Sequence, residues 1–272
     1  MKAPLSRVVL TGATGGIGQA MAAALLRAGA SVMLVGRSAA SLSAQADRLL
    51  QTIPAAKGHV AWHDADLTAP DGLAGLRDAA SAWGVNVLIH NAGVSSFGRL
   101  ESVESDDVAQ VLHTNLLAPM LLTQALLPHL LRQARSQVIC VGSTLGSIGL
   151  PGFSVYCASK FGLRGFAESL RRELTGTPVR VQYLGPRTTR TKFNSQAVND
   201  YNRATGTASD EPETVAAALV RMVEDESALS LLGFPEKLAA RINGCAPALL
   251  DGAFVKHRHQ LSVPAALCNP AS

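Results

Sequence analysis

Short apolar runs alternate with longer amphipathic segments through most of this chain. The runs cover residues 8–10, 31–35, 59–63, 85–90, 137–141, 179–184 and 229–232. Each is too short for a helix, and most are rich in Val, Ile and Leu, as expected of strands buried on both faces. The stretches between them are of helix length. This rhythm predicts an α/β fold: a Rossmann-like, doubly wound parallel sheet of about seven strands with helices on both faces. Crossovers in such a sheet are right-handed, and ligands gather at the carboxyl ends of its strands.

Four segments extend this picture. Residues 107–131 read as one unusually apolar helix, kinked or bounded by Pro119 and Pro128. With Val111, Leu112, Leu116, Leu117, Met120, Leu121 and Leu122, it has more apolar positions than one sheet face can cover. A homodimer or homotetramer contact through this helix is therefore expected. The next helix carries Tyr156 and runs to about Leu174. Residues 188–211 are polar and follow a strand end, the position of a substrate lid. Residues 234–272 form a C-terminal extension whose apolar positions fit a helix packed on the body, a flap at the substrate mouth, or weak contact with a membrane surface. Its end, with Pro264 and Pro270, is expected to be loosely held. No linker or repeat divides the chain, so residues 1–272 are expected to form a single domain.

Composition narrows the function classes. Nearly half of the 272 residues are apolar and the formal net charge is +4. No Lys/Arg run supports nucleic-acid binding. No apolar stretch reaches the length of a membrane span. Cys140, Cys157, Cys245 and Cys268 form no Cys-x-x-Cys pair, so neither a metal site nor a redox motif is expected. The N-terminus carries no leader-like segment, and the expected location is cytoplasmic, with thiols reduced.

Three groups of residues suggest chemistry. Thr11-Gly-Ala-Thr-Gly-Gly-Ile-Gly18 follows the first strand and opens the first helix. Glycines there let backbone approach a pyrophosphate, and the helix start offers free N–H groups. The spacing of Gly12, Gly16 and Gly18 differs from the Gly-x-Gly-x-x-Gly fingerprint. Tyr156 and Lys160 lie one helical turn apart, so phenol and ammonium share a face. Ser143 precedes them after the fifth apolar run. A lone Tyr-x-x-x-Lys would mean a half-exposed Tyr and a solvated Lys; the glycine turn and the Ser alter that reading. The second run ends Val35-Gly-Arg37-Ser, without the acid that would bond an adenosine ribose. Arg37 can instead pair with a 2′-phosphate, the other reading being a solvated Arg at a helix start.

Taken in order, these residues resemble the short-chain dehydrogenase/reductase family, classical type, over residues 5 to about 233. Thr11 to Gly18, with Thr14, Gly15 and Ile17 inside it, matches that family's glycine turn. The resemblance implies that Asp66 and Leu67 contact adenine, and it aligns His90-Asn91-Ala92-Gly93 with the family's Asn-Asn-Ala-Gly. It makes Asn115, Ser143, Tyr156 and Lys160 the catalytic set. Pro186, Arg187 and Thr191 fall on Pro-Gly-x-x-x-Thr, where the Thr meets the nicotinamide carboxamide. His90 and Arg187 depart from the pattern. Arg187 is expected to alter the backbone near the nicotinamide or put a charge by the cofactor phosphates.

The activity so implied is interconversion of a carbonyl and a secondary alcohol, with NADP(H) favoured over NAD(H). Tyr156 would be the general acid/base, its pKa lowered by Lys160 and the oxidised nicotinamide. Ser143 would hold the substrate oxygen, Lys160 would also bond the ribose hydroxyls, and Asn115 would support a relay water. Without the other motifs, Asn115 reads as a helix-kink residue beside Pro119. Leu145, Leu150, Pro151, Phe153 and Phe193 suggest a lipophilic or acyl-chain substrate. The alternative is a regulatory or structural protein that binds cofactor on the same fold without turnover, a role that does not need all four polar residues. An extended-type epimerase or dehydratase would need a larger substrate domain.

Overall fold

The computed structural model describes residues 1–261, so the expectations for Pro264, Pro270 and Cys268 lie outside the described residues. Seven strands form one parallel sheet: β1 (Arg7–Thr11), β2 (Ser31–Gly36), β3 (Val60–Asp64), β4 (Val87–His90), β5 (Ser136–Val141), β6 (Val179–Gly185) and β7 (Leu229–Leu231). Their order is β3-β2-β1-β4-β5-β6-β7. All six pairings are parallel. Each expected strand is present, within two residues of the expected ends.

Alternation along the strands fills two cores. Val8, Leu10, Val32, Leu34 and Ile139 face α1 (Gly16–Arg27), α2 (Ala39–Thr52) and α8 (Pro212–Asp225). Val9, Met33, Val35, Leu88 and Val138 face α3 (Pro70–Trp83), α5 (Ala118–Leu131) and α6 (Ser154–Glu173). Strands buried on both faces give the continuous apolar runs seen in the sequence. Strand order reverses between β1 and β4, which opens a crevice above their carboxyl ends.

The expected single helix over 107–131 is two helices. α4 (Ser105–Leu112) passes through a π-helical turn, His113–Leu117, into α5. Pro119 has no N–H for the carbonyl four residues back, that of Asn115, so regular α pairing fails there. Pro128 lies inside α5. The face shared with α6 remains partly open: Leu117, Met120 and Leu121 of the first segment and Phe161 of the second are 44, 38, 37 and 41% exposed.

Two excursions follow β6. Residues 188–211 carry α7 (Gln196–Thr205), capped by the Ser195 hydroxyl. The ends of this excursion pair with each other, through a parallel bridge between Thr189 and Asp210. Beyond β7, α9 (Glu236–Cys245), the 3-10 segment Pro247–Phe254 and α10 (Val255–His259) return across the crevice. Asn243 there donates to the Ser147 carbonyl, and Lys256 to that of Thr205. Among the described residues no helix is long and apolar enough to cross a membrane.

Candidate active site

The crevice is a cleft of about 1450 Å³ that runs from the glycine turn past Ser143, Tyr156 and Lys160 to α7 and the C-terminal segment. All the cofactor and catalytic residues expected from sequence line it except Asn115, which lies behind its wall.

At one end the turn after β1 is packed to the limit. Gly12 has φ +64°, and a Cβ there would lie 2.7 Å from the Ala92 Cα. A Cβ on Gly18 would lie 2.2 Å from the Gly12 carbonyl, and one on Gly16 would lie 2.6 Å from the Thr191 methyl. The Thr11 hydroxyl accepts from the Asn91 and Ala92 amides at 3.0 and 3.1 Å, joining the ends of β1 and β4. The Asn91 side-chain nitrogen donates to the Thr11 and Gly12 carbonyls, both at 3.1 Å. No side chain caps α1, so its first N–H groups are free to meet an anion. This bare cradle fits a dinucleotide pyrophosphate.

Beyond the cradle, Arg37 and Arg48 reach the same end of the cleft, and neither makes an ion pair among the described residues. Arg48 was not expected from the motifs. Its signal is helical spacing: Gln45, three residues earlier, donates to the Ala13 carbonyl, so that face of α2 looks onto the glycine turn. Asp66 opens a turn in which one carboxylate oxygen accepts from both the amide and the hydroxyl of Thr68, at 2.9 and 2.7 Å. Those bonds, with a smaller contribution from Arg37, hold its pKa below the ordinary Asp range.

At the other end α6 carries Tyr156 and Lys160 on one buried turn. Lys160 Nζ is 5.6 Å from the Tyr156 ring centroid and 3.4 Å from the Val141 carbonyl. Burial brings the ammonium down to about 8. Burial also raises the Tyr156 phenol above its ordinary value, and the Ser143 hydroxyl, not Lys160, is what opposes the rise. The expected depression of the phenol is therefore not a property of the protein alone. The Ser143 hydroxyl accepts from the Leu145 amide at 3.1 Å, leaving its own proton free to donate. Phe153 and Phe193 flank Tyr156 at 6.4 and 6.3 Å.

Asn115 is fully buried in the π-helical turn. Its amide oxygen accepts from the Val94 N–H at 2.8 Å, and its nitrogen donates to the Val94 carbonyl and the Ser159 hydroxyl at 2.9 and 3.1 Å. The side chain thus ties the segment after β4 to α6. Gly162 lets α6 press on the turn, since a Cβ there would lie 2.8 Å from Leu116. Close by, a Cβ on Gly93 would lie 3.2 Å from the Asn115 amide oxygen and 3.6 Å from Lys160 Nζ.

Two departures from the family pattern resolve differently. His90 is buried against α5, with Nε2 2.7 Å from the Thr123 hydroxyl, and burial drives its pKa down to about 3. Arg187 lines the cleft, and its charge is paired. Its guanidinium is held by Asp210 at 2.7 and 3.0 Å and by Glu236 at 3.5 Å. It joins the end of the 188–211 excursion to the start of the C-terminal segment. Of the expected wall residues, Leu145, Leu150, Phe153 and Phe193 line the cleft. Pro151 lines an adjoining cavity of about 350 Å³ with Cys157 and Phe254. His257, which no motif indicated, lines the main cleft and lies 2.9 Å from the Tyr201 hydroxyl.

A parallel sheet with a glycine cradle at its switch point and a buried Tyr-Lys turn defines a dinucleotide-dependent oxidoreductase fold. The chain matches the short chain dehydrogenase family over residues 6–202 and belongs to it. It is 32% identical over 234 residues to Dehydrogenase/reductase SDR family member 7B of Bos taurus, covering 85% of this chain and 71% of that one. Among solved structures, a short-chain dehydrogenase from Sphingobium yanoikuyae in complex with NADPH superposes with TM-score 0.75 at 25% identity, over 91% of this chain and 96% of that one. A short chain dehydrogenase/reductase from Burkholderia phymatum in complex with NAD gives TM-score 0.81 at 22% identity, over 92% and 96%. The second likeness is one of fold alone.

Proposed function

We propose that this protein is an NADP(H)-dependent oxidoreductase that interconverts a carbonyl and a secondary alcohol on a lipophilic substrate. The observation that carries the reading is the convergence of Ser143, Tyr156 and Lys160 on one wall of a cleft that begins in a glycine cradle. The cofactor would supply or accept the hydride. Gly12 to Gly18 would hold its pyrophosphate, Asp66 and Leu67 its adenine, Asn91 to Gly93 its central ribose side, and Pro186 and Thr191 its nicotinamide. Arg37, joined by Arg48, would pair with a 2′-phosphate. The Sphingobium yanoikuyae protein, solved with NADPH, and the Burkholderia phymatum protein, solved with NAD, share a nicotinamide cofactor; the choice of NADP(H) here rests on Arg37 and Arg48.

Ser143 and Tyr156 would both donate to the substrate oxygen. The neutral buried phenol carries the proton that carbonyl reduction needs, although burial alone makes it a weaker acid. When it gives up its proton, the Lys160 ammonium stabilises the phenolate. The Asn115 amide is fully engaged with Val94 and Ser159, so its carbonyl, deprived of a partner at Pro119, would hold the relay water instead. Leu145, Leu150, Phe153 and Phe193 favour an apolar substrate body. Residues 188–211 would act as the lid of a single-domain enzyme, and the C-terminal segment as part of its mouth. A panel of aliphatic and aromatic ketones tests the reading, with NADPH absorbance followed and NADH in parallel. Turnover of none of them with either cofactor would overturn it.

The same proposal includes a homodimer or homotetramer through the α5–α6 face, where Leu117, Met120, Leu121 and Phe161 stand open. The described C-terminal segment returns over the cleft instead of that face. Light scattering at micromolar concentration should give a multiple of 28.3 kDa; the single mass would refute assembly. A reducing, cytoplasmic setting suits the buried free thiols of Cys140 and Cys157.

A further inference from the structure

Ser143 is held in an unusual way. Its backbone is extended, with φ −163° and ψ 162°, so its own N–H and C=O lie side by side. The flanking amides are satisfied by β6: Gly142 donates to the Leu184 carbonyl at 2.7 Å and Thr144 to that of Pro186 at 2.8 Å. Strand geometry alternates, so the Ser143 amide faces away from that ladder. The pairing of β4 with β5 has already ended at His90 and Cys140. The Ser143 amide therefore has no strand to bond.

One side-chain atom takes the place of the missing strand. The Tyr183 hydroxyl accepts from the Ser143 N–H at 3.1 Å and donates to the Ser143 carbonyl at 2.9 Å. Tyr183 comes from β6 and is buried. Two glycines make room for it. A Cβ on Gly142 would lie 2.0 Å from the phenol oxygen, and one on Gly146 would lie 2.2 Å from it. Neither glycine is among those with positive φ. Their smallness makes room for the Tyr183 phenol and, at Gly146, also for the Lys160 carbonyl, 2.7 Å from such a Cβ.

We infer that Tyr183 is the positioning residue of Ser143. It touches neither the reacting atoms nor the cofactor cradle. By gripping both peptide groups of Ser143 it fixes the direction of the Cα–Cβ bond. Leu145 then occupies a lone pair of the hydroxyl, and the proton is left to point at the substrate oxygen. Burial raises the Tyr183 phenol, which keeps it protonated and able to donate. The catalytic side of this inference rests on the proposed reductase function; the grip on Ser143 does not.

Tyr183→Phe removes the hydroxyl and keeps the ring in the core. Hydrogen exchange of the Ser143 amide should accelerate about tenfold or more, while Gly142 and Thr144 stay protected. With a substrate found in the ketone panel, kcat should fall roughly 10- to 100-fold, and the NADPH KM should stay within about twofold. In the Ser143→Ala background the second change should cost nothing more. Unchanged Ser143 exchange, an unchanged kcat, or losses that multiply in the double variant would each overturn the inference. If Tyr183→Phe does not fold, the wild type still decides: its Ser143 amide should be protected like those of Gly142 and Thr144, and free exchange there would overturn the inference. If the wild type turns over no carbonyl, the function reading falls, and the exchange data still judge the Ser143–Tyr183 contact.

Discussion

At the Tyr156 end of the cleft Tyr156, Lys160 and Asn115 are buried and Ser143 is half-buried, each held by the elements around it. At the Arg37 end two guanidinium groups stand in solvent with no ion pair among the described residues. Buried groups act through geometry, because low dielectric and fixed bonds make each atom count. Exposed charges act through long-range attraction, which water and salt weaken. One cleft thus uses placement for the proposed chemistry and charge for the proposed choice of cofactor. The two ends should fail differently when altered.

The largest loss is expected from Tyr156→Phe. Only the acidic proton goes, so NADPH binding should persist while kcat falls by about 10²- to 10⁴-fold. Activity within tenfold of wild type, at equal cofactor affinity, would remove the distinction between the ends. Arg37→Glu should act in the opposite sense, sparing kcat and moving the NADPH-to-NADH affinity ratio about tenfold or more toward NADH. In the wild type that ratio should itself shrink as salt rises from 0.05 to about 0.5 M. Fluorescence titration of both cofactors reads both effects, and a ratio indifferent to salt and to Arg37 would make that residue merely solvated.

The smallest effect sharpens the buried end. Lys160 is near 10.5 when unfolded and about 8 in place. Between those values the unfolded chain holds a proton that the folded chain has released, so stability gains with pH across that window. Against Lys160→Met, which cannot titrate, the wild type should gain roughly 1 kcal/mol per pH unit from pH 8 to 9.5. Thermal melts of the two proteins, compared at each pH, measure it. Parallel pH curves would mean that water reaches the ammonium.

The same contrast explains what sequence could reveal. The seven strands were legible because burial on both faces leaves unbroken apolar runs. β4 starts two residues later than its run, although the Asn86 backbone already bonds Arg7 and Gln137 and its side chain bonds Leu5 and Arg7. The glycine turn and the Tyr-Lys pair were legible because their spacing is local. The break at Asn115 was half legible, in Pro119, but the partners that occupy its amide, Val94 and Ser159, come from other segments. The pairing of Arg187 was hidden for a similar reason. Its carboxylates arrive from Asp210 and Glu236, outside any local pattern. Tyr183 read as an ordinary strand residue, since its meaning lies in Gly142 and Gly146 on a neighbouring element.

The bridge between Thr189 and Asp210 has a practical meaning for a protein engineer. Residues 192–209 leave and rejoin the body through one doorway, so they can be exchanged as a cassette without changing the spacing of β6 and α8. The frame must keep Thr191, which packs against Gly16, and the Asp210 carboxylate that holds Arg187. A transplant lacking Asp210 would strand the Arg187 guanidinium on Glu236 alone, at 3.5 Å. Chimeras that keep positions 189, 191 and 210 and vary the rest of the excursion would sample new walls for the cleft on the same frame.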